Sequence, residues 1–243
     1  QYGSQFGGLL NFVFKIGNKK KQIEFITENT IGSFGLVSSF NSLGGEKKGL
    51  NYYAFYQRKQ GDGWRDFSKF EQNTAFVSLI KTFSKRLKIG IEYTFMNYVA
   101  QQAGGLKDFD FVQNPQQSLR TRNWFKVNWN LAALTLNYKM SEKTKLNSKV
   151  FVLAAQRDAL GELGRIDRPD PMRDRDLIRG TYNNFGNETR LISRYNLGDF
   201  TSTFLVGARY YQGFTTNKQG NGDDSSDPNF TFLNPTDLEK SAY

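Results

Sequence analysis

The chain has no cysteine and no histidine among its 243 residues. Without cysteine, disulfides and thiolate metal sites are excluded, and the redox compartment stays open. Without histidine, the usual general base and the commonest metal ligand are gone, which argues against hydrolase triads and against zinc or non-haem iron sites. Paired carboxylates, a nucleotide loop and a nucleophile motif are also missing, so neither an enzyme nor a bound cofactor is expected. No apolar run approaches the ~18 residues of a membrane helix. A membrane barrel escapes that exclusion, because its strands alternate and a hydropathy window averages them away.

What is present is alternation. In Leu87-Lys88-Ile89-Gly90-Ile91-Glu92-Tyr93-Thr94-Phe95 every large apolar side chain falls on an odd position. Strand side chains point to opposite faces with period two, so one face is greasy and the other hydrated. Hydrophobic residues make up 38% of the chain, aromatics 15%, and the mean hydropathy is -0.60. That size suits one large all-β domain or two small ones.

The pattern predicts nine strands and no helix: Gln22 to Thr30, Leu36 to Leu43, Leu50 to Lys59, Thr74 to Phe83, Leu87 to Tyr98, a sixth from Trp124, Leu146 to Ala155, Thr189 to Leu197, and Thr203 to Gln212. In the sixth, Phe125, Val127, Trp129, Leu131 and Ala133 share one face before the phase slips to Leu134, Leu136 and Tyr138, which predicts a β-bulge near Ala133. The tail from Phe214 reads as loop.

After the first hairpin, short turns at Gly44, Ser84, Ser141 and Gly198 alternate with long polar segments beginning near Gly61, Gln101, Gln156 and Phe214. A soluble sandwich spreads long loops over both ends, whereas outer-membrane barrels have short periplasmic turns and longer extracellular loops. Trp64, Tyr98, Trp124, Tyr138, Tyr182, Tyr195, Tyr210 and Tyr211 lie near strand ends, where interfacial girdles sit. The net charge of +10 is spread over lysines at strand ends and turns, such as Lys19, Lys47, Lys85, Lys88 and Lys143. No recognition helix or RNA-binding signature accompanies it, so nucleic acid is not an expected partner.

The N-terminus, Gln1-Tyr2-Gly3-Ser4-Gln5-Phe6-Gly7-Gly8-Leu9-Leu10-Asn11-Phe12-Val13-Phe14-Lys15, resembles the end of the plug domain of TonB-dependent outer-membrane receptors. Thr30-Ile31-Gly32-Ser33-Phe34-Gly35 and Gly61-Asp62-Gly63-Trp64-Arg65-Asp66 are similar to that family's early-barrel segments, in the same order. Within the family, the ferric citrate and siderophore branch is the nearest in wording. The resemblance implies an all-β fold: an antiparallel transmembrane β-barrel segment preceded by the last strand of a plug. Residues 1–18 are then the plug's end, marked by Tyr2, Gly3, Gly7, Gly8 and Asn11, and residues 19–243 the N-terminal part of the barrel. Gly7 and Gly8 would allow close backbone approach where plug meets wall.

A sheet of nine strands is odd and cannot close by itself. Nine strands in 243 residues project to roughly 600 residues for the ~22 strands of a full transporter barrel, so the chain is expected to be a piece. No signal peptide is visible, as expected of a mature internal segment.

The resemblance also implies function. The expected localisation is the bacterial outer membrane. The expected partners are outer-membrane lipid and lipopolysaccharide, a TonB-type energy-transducing protein acting through a segment absent from this chain, and a small-molecule ligand, a ferric chelate. A glycan or peptide importer of the same architecture, a non-energised structural or adhesive barrel, and a soluble β-sandwich remain alternatives.

The most distinctive polar segment, Gln156 to Thr181, interleaves Arg157, Arg165, Arg168, Arg173, Arg175 and Arg179 with Asp158, Glu162, Asp167, Asp170, Asp174 and Asp176. Arginine's planar fork suits a carboxylate-rich chelate, so these arginines are the ligand candidates. Because the charges balance, the competing reading is a loop held by its own ion pairs. Arg190, Arg194 and Arg209 alternate with apolar neighbours and are expected to face the lumen or plug. Asp223, Asp224 and Asp227 lack a recognised calcium spacing, and no metal site is expected.

Overall fold

The computed structural model describes residues 13–165, 167–236 and 238–242. They form one antiparallel meander in which every strand pairs with its sequence neighbours, in the order β1 to β10. The strands are β1 (Glu24–Ile31), β2 (Val37–Lys47), β3 (Leu50–Gly61), β4 (Phe70–Thr82), β5 (Leu87–Gln101), β6 (Trp124–Lys139), β7 (Thr144–Gly161), β8 (Asp176–Leu197), β9 (Phe200–Asn221) and β10 (Glu239–Ala242). The sheet is open, since β1 pairs only with β2 and β10 only with β9.

Continuous register fixes the two faces. Phe25, Leu43, Ala54, Val77, Tyr93, Ala132, Val152 and Phe185 stand in one row across β1 to β8. This is the outer face, and it is greasy and bare: Ile91 is 54% exposed, Tyr93 41% and Leu79 41%. A soluble protein does not leave so continuous an apolar surface open to water. The adjacent row, Tyr53, Ser78, Glu92, Ala133, Phe151, Gly186 and Tyr211, belongs to the inner face. There Phe76 is 1% exposed and Ser78 2%.

The greasy stretch of β5, Leu87 to Phe95, matches the ~9–11 residues a tilted strand needs to cross a bilayer. Above it the outer face turns polar at Asn73, Asn97, Asn128 and Asn130, and tyrosines mark the boundary. Tyr93 donates to Asn130 Oδ1 at 2.7 Å and Tyr56 to Asn73 Oδ1 at 2.6 Å. An aromatic ring in the apolar band with its hydroxyl tied to a polar row is what a membrane interface selects.

Several expectations need correction. β6 carries no bulge at Ala133: its pairing with β5 and β7 runs unbroken through Leu131, Ala132, Ala133 and Leu134. What changes there is the environment, because towards the long-segment rim the apolar residues of β6 sit inward and within the membrane band they sit outward. Strands also run further than predicted. β8 starts at Asp176 rather than Thr189, β9 reaches Asn221, and β7 takes in Arg157. A tenth strand lies in the tail read as loop. A helix was not expected either, yet α1 (Asp108–Gln113) forms one short turn in the segment between β5 and β6, with Asp108 and Asp110 favourably placed in its first turn.

Residues 13–17 lie against the inner face. Phe14 stacks on Phe76 with ring centroids 4.4 Å apart and meets Phe55 at 6.5 Å. Gly17 donates its N–H to Asn51 Oδ1 at 3.0 Å and accepts from Asn51 Nδ2 at 2.8 Å. Glycine is required there, since a Cβ would fall 2.3 Å from the Tyr52 carbonyl oxygen. Tyr2, Gly3, Gly7, Gly8 and Asn11, expected to mark the plug's end, lie outside the described residues.

Candidate functional site

The antiparallel meander places the segments 62–69, 102–123, 162–175 and 222–238 on one rim, while Lys48-Gly49, Phe83 to Arg86, Met140 to Lys143 and Gly198-Asp199 close the other with short turns. The long segments do not wave independently. Arginines stitch each to the next through backbone carbonyls. Arg65 donates to Gly104 O at 2.6 Å and Gln117 O at 2.7 Å, joining the first segment to the second. Arg120 reaches the carbonyls of Arg168, at 2.6 Å, and Arg165, joining the second to the third.

Arg122 is the centre of this cap. Its fork meets the Asp170 carboxylate at 2.9 and 2.7 Å, and it also donates to the carbonyls of Asp224 at 2.6 Å and Arg173 at 2.9 Å. The side chains of Arg122 and Asp170 are only 2% and 4% exposed, so the pair is dry and bidentate. The Arg122 bond, opposed by burial and helped by the Met172 N–H, holds the Asp170 carboxyl below its usual range. Arg175 is fully buried and binds the Asp223 carboxylate, Ser225 Oγ at 3.0 Å and Asp227 O at 2.8 Å.

The last segment folds over the outer face above the apolar band. Trp124 Nε1 donates to Ser226 O at 2.8 Å, and Lys126 sits 5.4 Å from the Phe230 ring centroid. Arg179 binds Asp158 Oδ1 at 2.8 Å and Phe230 O at 2.7 Å, with its guanidinium 5.2 Å from the Phe232 ring centroid. Leu160 and Leu177 are completely buried beneath this flap.

Burial pushes the Asp223 carboxyl up, but hydrogen bonds from Ser225, Arg175 and Asn229 outweigh it and hold its pKa at about 2, against an ordinary 3.8. A carboxylate with a depressed folded pKa contributes stability above its unfolded pKa and loses it as pH falls through the folded one. Protease resistance of segment 222–238 is therefore expected to be flat from neutral pH down to about 3.8 and to fall between there and about 2. Limited pepsin digestion across that range reads it; a loss already at neutral or mildly acidic pH would contradict the assignment.

The six candidate arginines separate. Arg175 and Arg179 are committed to the cap, Arg179 on the outer face. Arg165 pairs with Asp167 at 2.9 Å and Arg173 with Glu162 at 3.0 Å, both on the surface. The guanidiniums of Arg157 and Arg168 have no partner among the described residues. Arg157 is exposed on the inner face between Val127 and Gly180, with Trp129 and Tyr182 on the same face one pleat away. Arg190, Arg194 and Arg209 also occupy the inner face, Arg190 paired with Glu188. Arg65, Arg120 and Arg122 were not foreseen, because their partners are mostly carbonyls, which leave no mark in a sequence. Among the described residues no cluster of carboxylates could hold a metal ion.

An open meander with an apolar outer band, a polar-capped rim and a clipped rim defines a sector of a transmembrane β-barrel wall. No family model matches the chain. It is similar to the ferric citrate transporter FecA in its unliganded form, with a TM-score of 0.73 at 18% identity over 90% of this chain and 32% of that one. It is also similar to BauA, the ferric preacinetobactin receptor from Acinetobacter baumannii, at 0.72, 10%, 88% and 35% respectively. The ferric-catecholate import receptor Fiu from E. coli K12 matches at 0.64 and 12% identity, over 85% of this chain and 36% of that one. The chain thus spans about a third of the length of the solved structures it matches. At the level of fold, the resemblance read from the sequence to TonB-dependent ferric citrate and siderophore receptors is borne out.

Proposed function

We propose that the chain is the first part of the barrel of a TonB-dependent outer-membrane receptor that binds a scarce ferric chelate, of the citrate or siderophore kind, and imports it. The observation that carries this reading is the placement of residues 13–17 on the inner face, opposite the apolar band, below a rim of interlocked long segments. In this reading residues 1–18 are the end of a plug and residues 19–243 barrel wall. Outer-membrane lipid and lipopolysaccharide surround the outer face, and a TonB-type protein of the inner membrane moves the plug. The work is binding and gating, without covalent chemistry. The names of the similar receptors support the ligand class.

Arg157 is an inner-face cation close to the long-segment rim with its fork free for a chelate carboxylate or catecholate, and Arg168 is the second candidate on the rim. In the full-length receptor, Arg157→Gln is expected to weaken ferric citrate or ferric catecholate binding about tenfold, the loss of one charge-assisted hydrogen bond. Arg173→Gln, whose guanidinium is already paired on the surface, is expected to leave it unchanged. Titration of the purified receptor with each chelate and with an oligosaccharide decides between importers. Binding of the oligosaccharide alone would make it a glycan importer. Chelate uptake by cells that persists when the inner-membrane energy complex is deleted would remove the energy coupling.

A further inference from the structure

The chain's positive charge is unevenly neutralised. On the long-segment rim nearly every arginine described above meets a carboxylate or several carbonyls. The short-turn rim is different. Register puts Lys88, Asn137, Asn147 and Arg190 in one inner-face row across β5 to β8, and pairs Lys139 with Lys145 in the next row towards the turns. Lys88, Asn137, Asn147, Lys139 and Lys145, with Lys85 and Arg86 of the β4–β5 turn, border a cleft of about 550 Å³, and Arg190, itself paired with Glu188, lies outside its lining. Lys139 alone among its cations has a carboxylate, Glu142. Lys85, Arg86, Lys88 and Lys145 make no close ion pair among the described residues, Arg86 and Lys145 acting on the same Glu142 carboxylate only at longer range.

Five cations that share one carboxylate repel one another, and a folded chain keeps such an arrangement at a cost unless something further anionic sits among them. The lining offers donors nearly throughout: ammonium and guanidinium groups, the hydroxyls of Thr82 and Ser84, and two asparagine amides. The volume lies in the ~300–1,000 Å³ range of small-molecule sites. We propose that this cleft binds a small, multiply charged oxyanion, a polycarboxylate or a di- or triphosphate group, at the short-turn end of the inner face. A lipid headgroup shares the phosphate chemistry. The register places Lys88, Lys139 and Lys145 on the face opposite the apolar band, so a headgroup would have to leave the lipid side to reach them. The site does not depend on which ligand the receptor imports.

The test uses the full-length receptor in nanodiscs of uncharged phosphatidylcholine, titrated calorimetrically with inorganic pyrophosphate at low salt. One saturable site is expected. The double variant Lys88→Gln/Lys145→Gln is expected to weaken it about five- to tenfold, and Arg86→Gln alone about two- to fivefold. Lys218→Gln, on the outer face of β9, is the control and should bind as the parent does. Absence of a saturable site, or an equal loss in the control, overturns the proposal. So does retention of phosphatidylglycerol by the parent and not by the double variant when pyrophosphate fails to bind, since the groups would then serve a headgroup. The Arg86→Gln variant lies in a turn and keeps the test decisive should the double variant fail to fold.

Discussion

Arg122→Met in the full-length protein should release the three long segments 102–123, 162–175 and 222–238 together, while the barrel wall below stays folded. The substitution keeps most of the side-chain volume and removes the fork. It leaves the Asp170 carboxylate buried with the Met172 N–H, at 2.9 Å, as its remaining hydrogen-bond donor among the described residues. Stranding one member of a buried pair costs about 3 to 5 kcal/mol. The carbonyls of Arg173 and Asp224 lose a donor as well. The loss is local, because the cap is held by side chains and by isolated backbone bonds such as Asp170 N–H to Leu119 O at 3.1 Å, and not by the continuous ladder of strand hydrogen bonds. Trypsin should cut the three segments at least tenfold faster, with the heat-dependent gel mobility of the folded barrel unchanged. Pairing the change with Asp170→Leu removes the stranded charge and should return part of the protection. A single variant as resistant as the parent would show that Arg122 does not hold the cap, and no recovery in the double variant would place the cost elsewhere than in the unpaired carboxylate.

The cap also explains what could be read from the sequence and what could not. Within the membrane band, where the two faces meet different solvents, the alternation of Leu87 to Phe95 named the strand and its two faces correctly. Above the band both faces meet water or loops, so the alternation fades while the pairing continues. That is why Glu71, Gln72 and Asn73, paired with Val99, Tyr98 and Asn97, were not read as strand, and why Arg157 and Arg179 were placed in a loop. The apparent phase slip at Ala133 has the same cause. It is a change of surroundings along an unbroken strand.

The arginine-rich segment was legible as chemistry and only partly as geometry. Its balanced charges pointed to internal pairing, and Arg165, Arg173, Arg175 and Arg179 each found a carboxylate. Arg175 reaches Asp223 in another segment and Arg179 reaches Asp158 at the far end of its own, directly across the β7–β8 pairing, so sequence proximity alone would have assigned them wrongly. Arg157 differs only because β7 carries it onto the inner face, a fact set by strand parity.

Ile91→Arg tests the membrane assignment itself and is expected to destabilise the full-length barrel by about 2 to 4 kcal/mol, the cost of an arginine near the bilayer midplane. Ile91 lies between Leu79 and Leu134 in the outer face and is half exposed, so in lipid its replacement strands a guanidinium in hydrocarbon. Tyr211→Arg is the matched control. Register puts Tyr211 in the inner-face row of Glu92 and Ala133, and it too is about half exposed, at 53%. Equal exposure with opposite facing means that water alone predicts equal effects, whereas a bilayer on one side predicts a large difference. Urea unfolding from phospholipid vesicles should show the midpoint of Ile91→Arg lowered with unchanged slope, and that of Tyr211→Arg nearly at the parent's. The same pair in a short-chain detergent micelle, which lets the guanidinium reach water, should differ less. If Ile91→Arg unfolds at the parent's midpoint in vesicles, the apolar band does not face lipid, and the soluble β-sandwich returns.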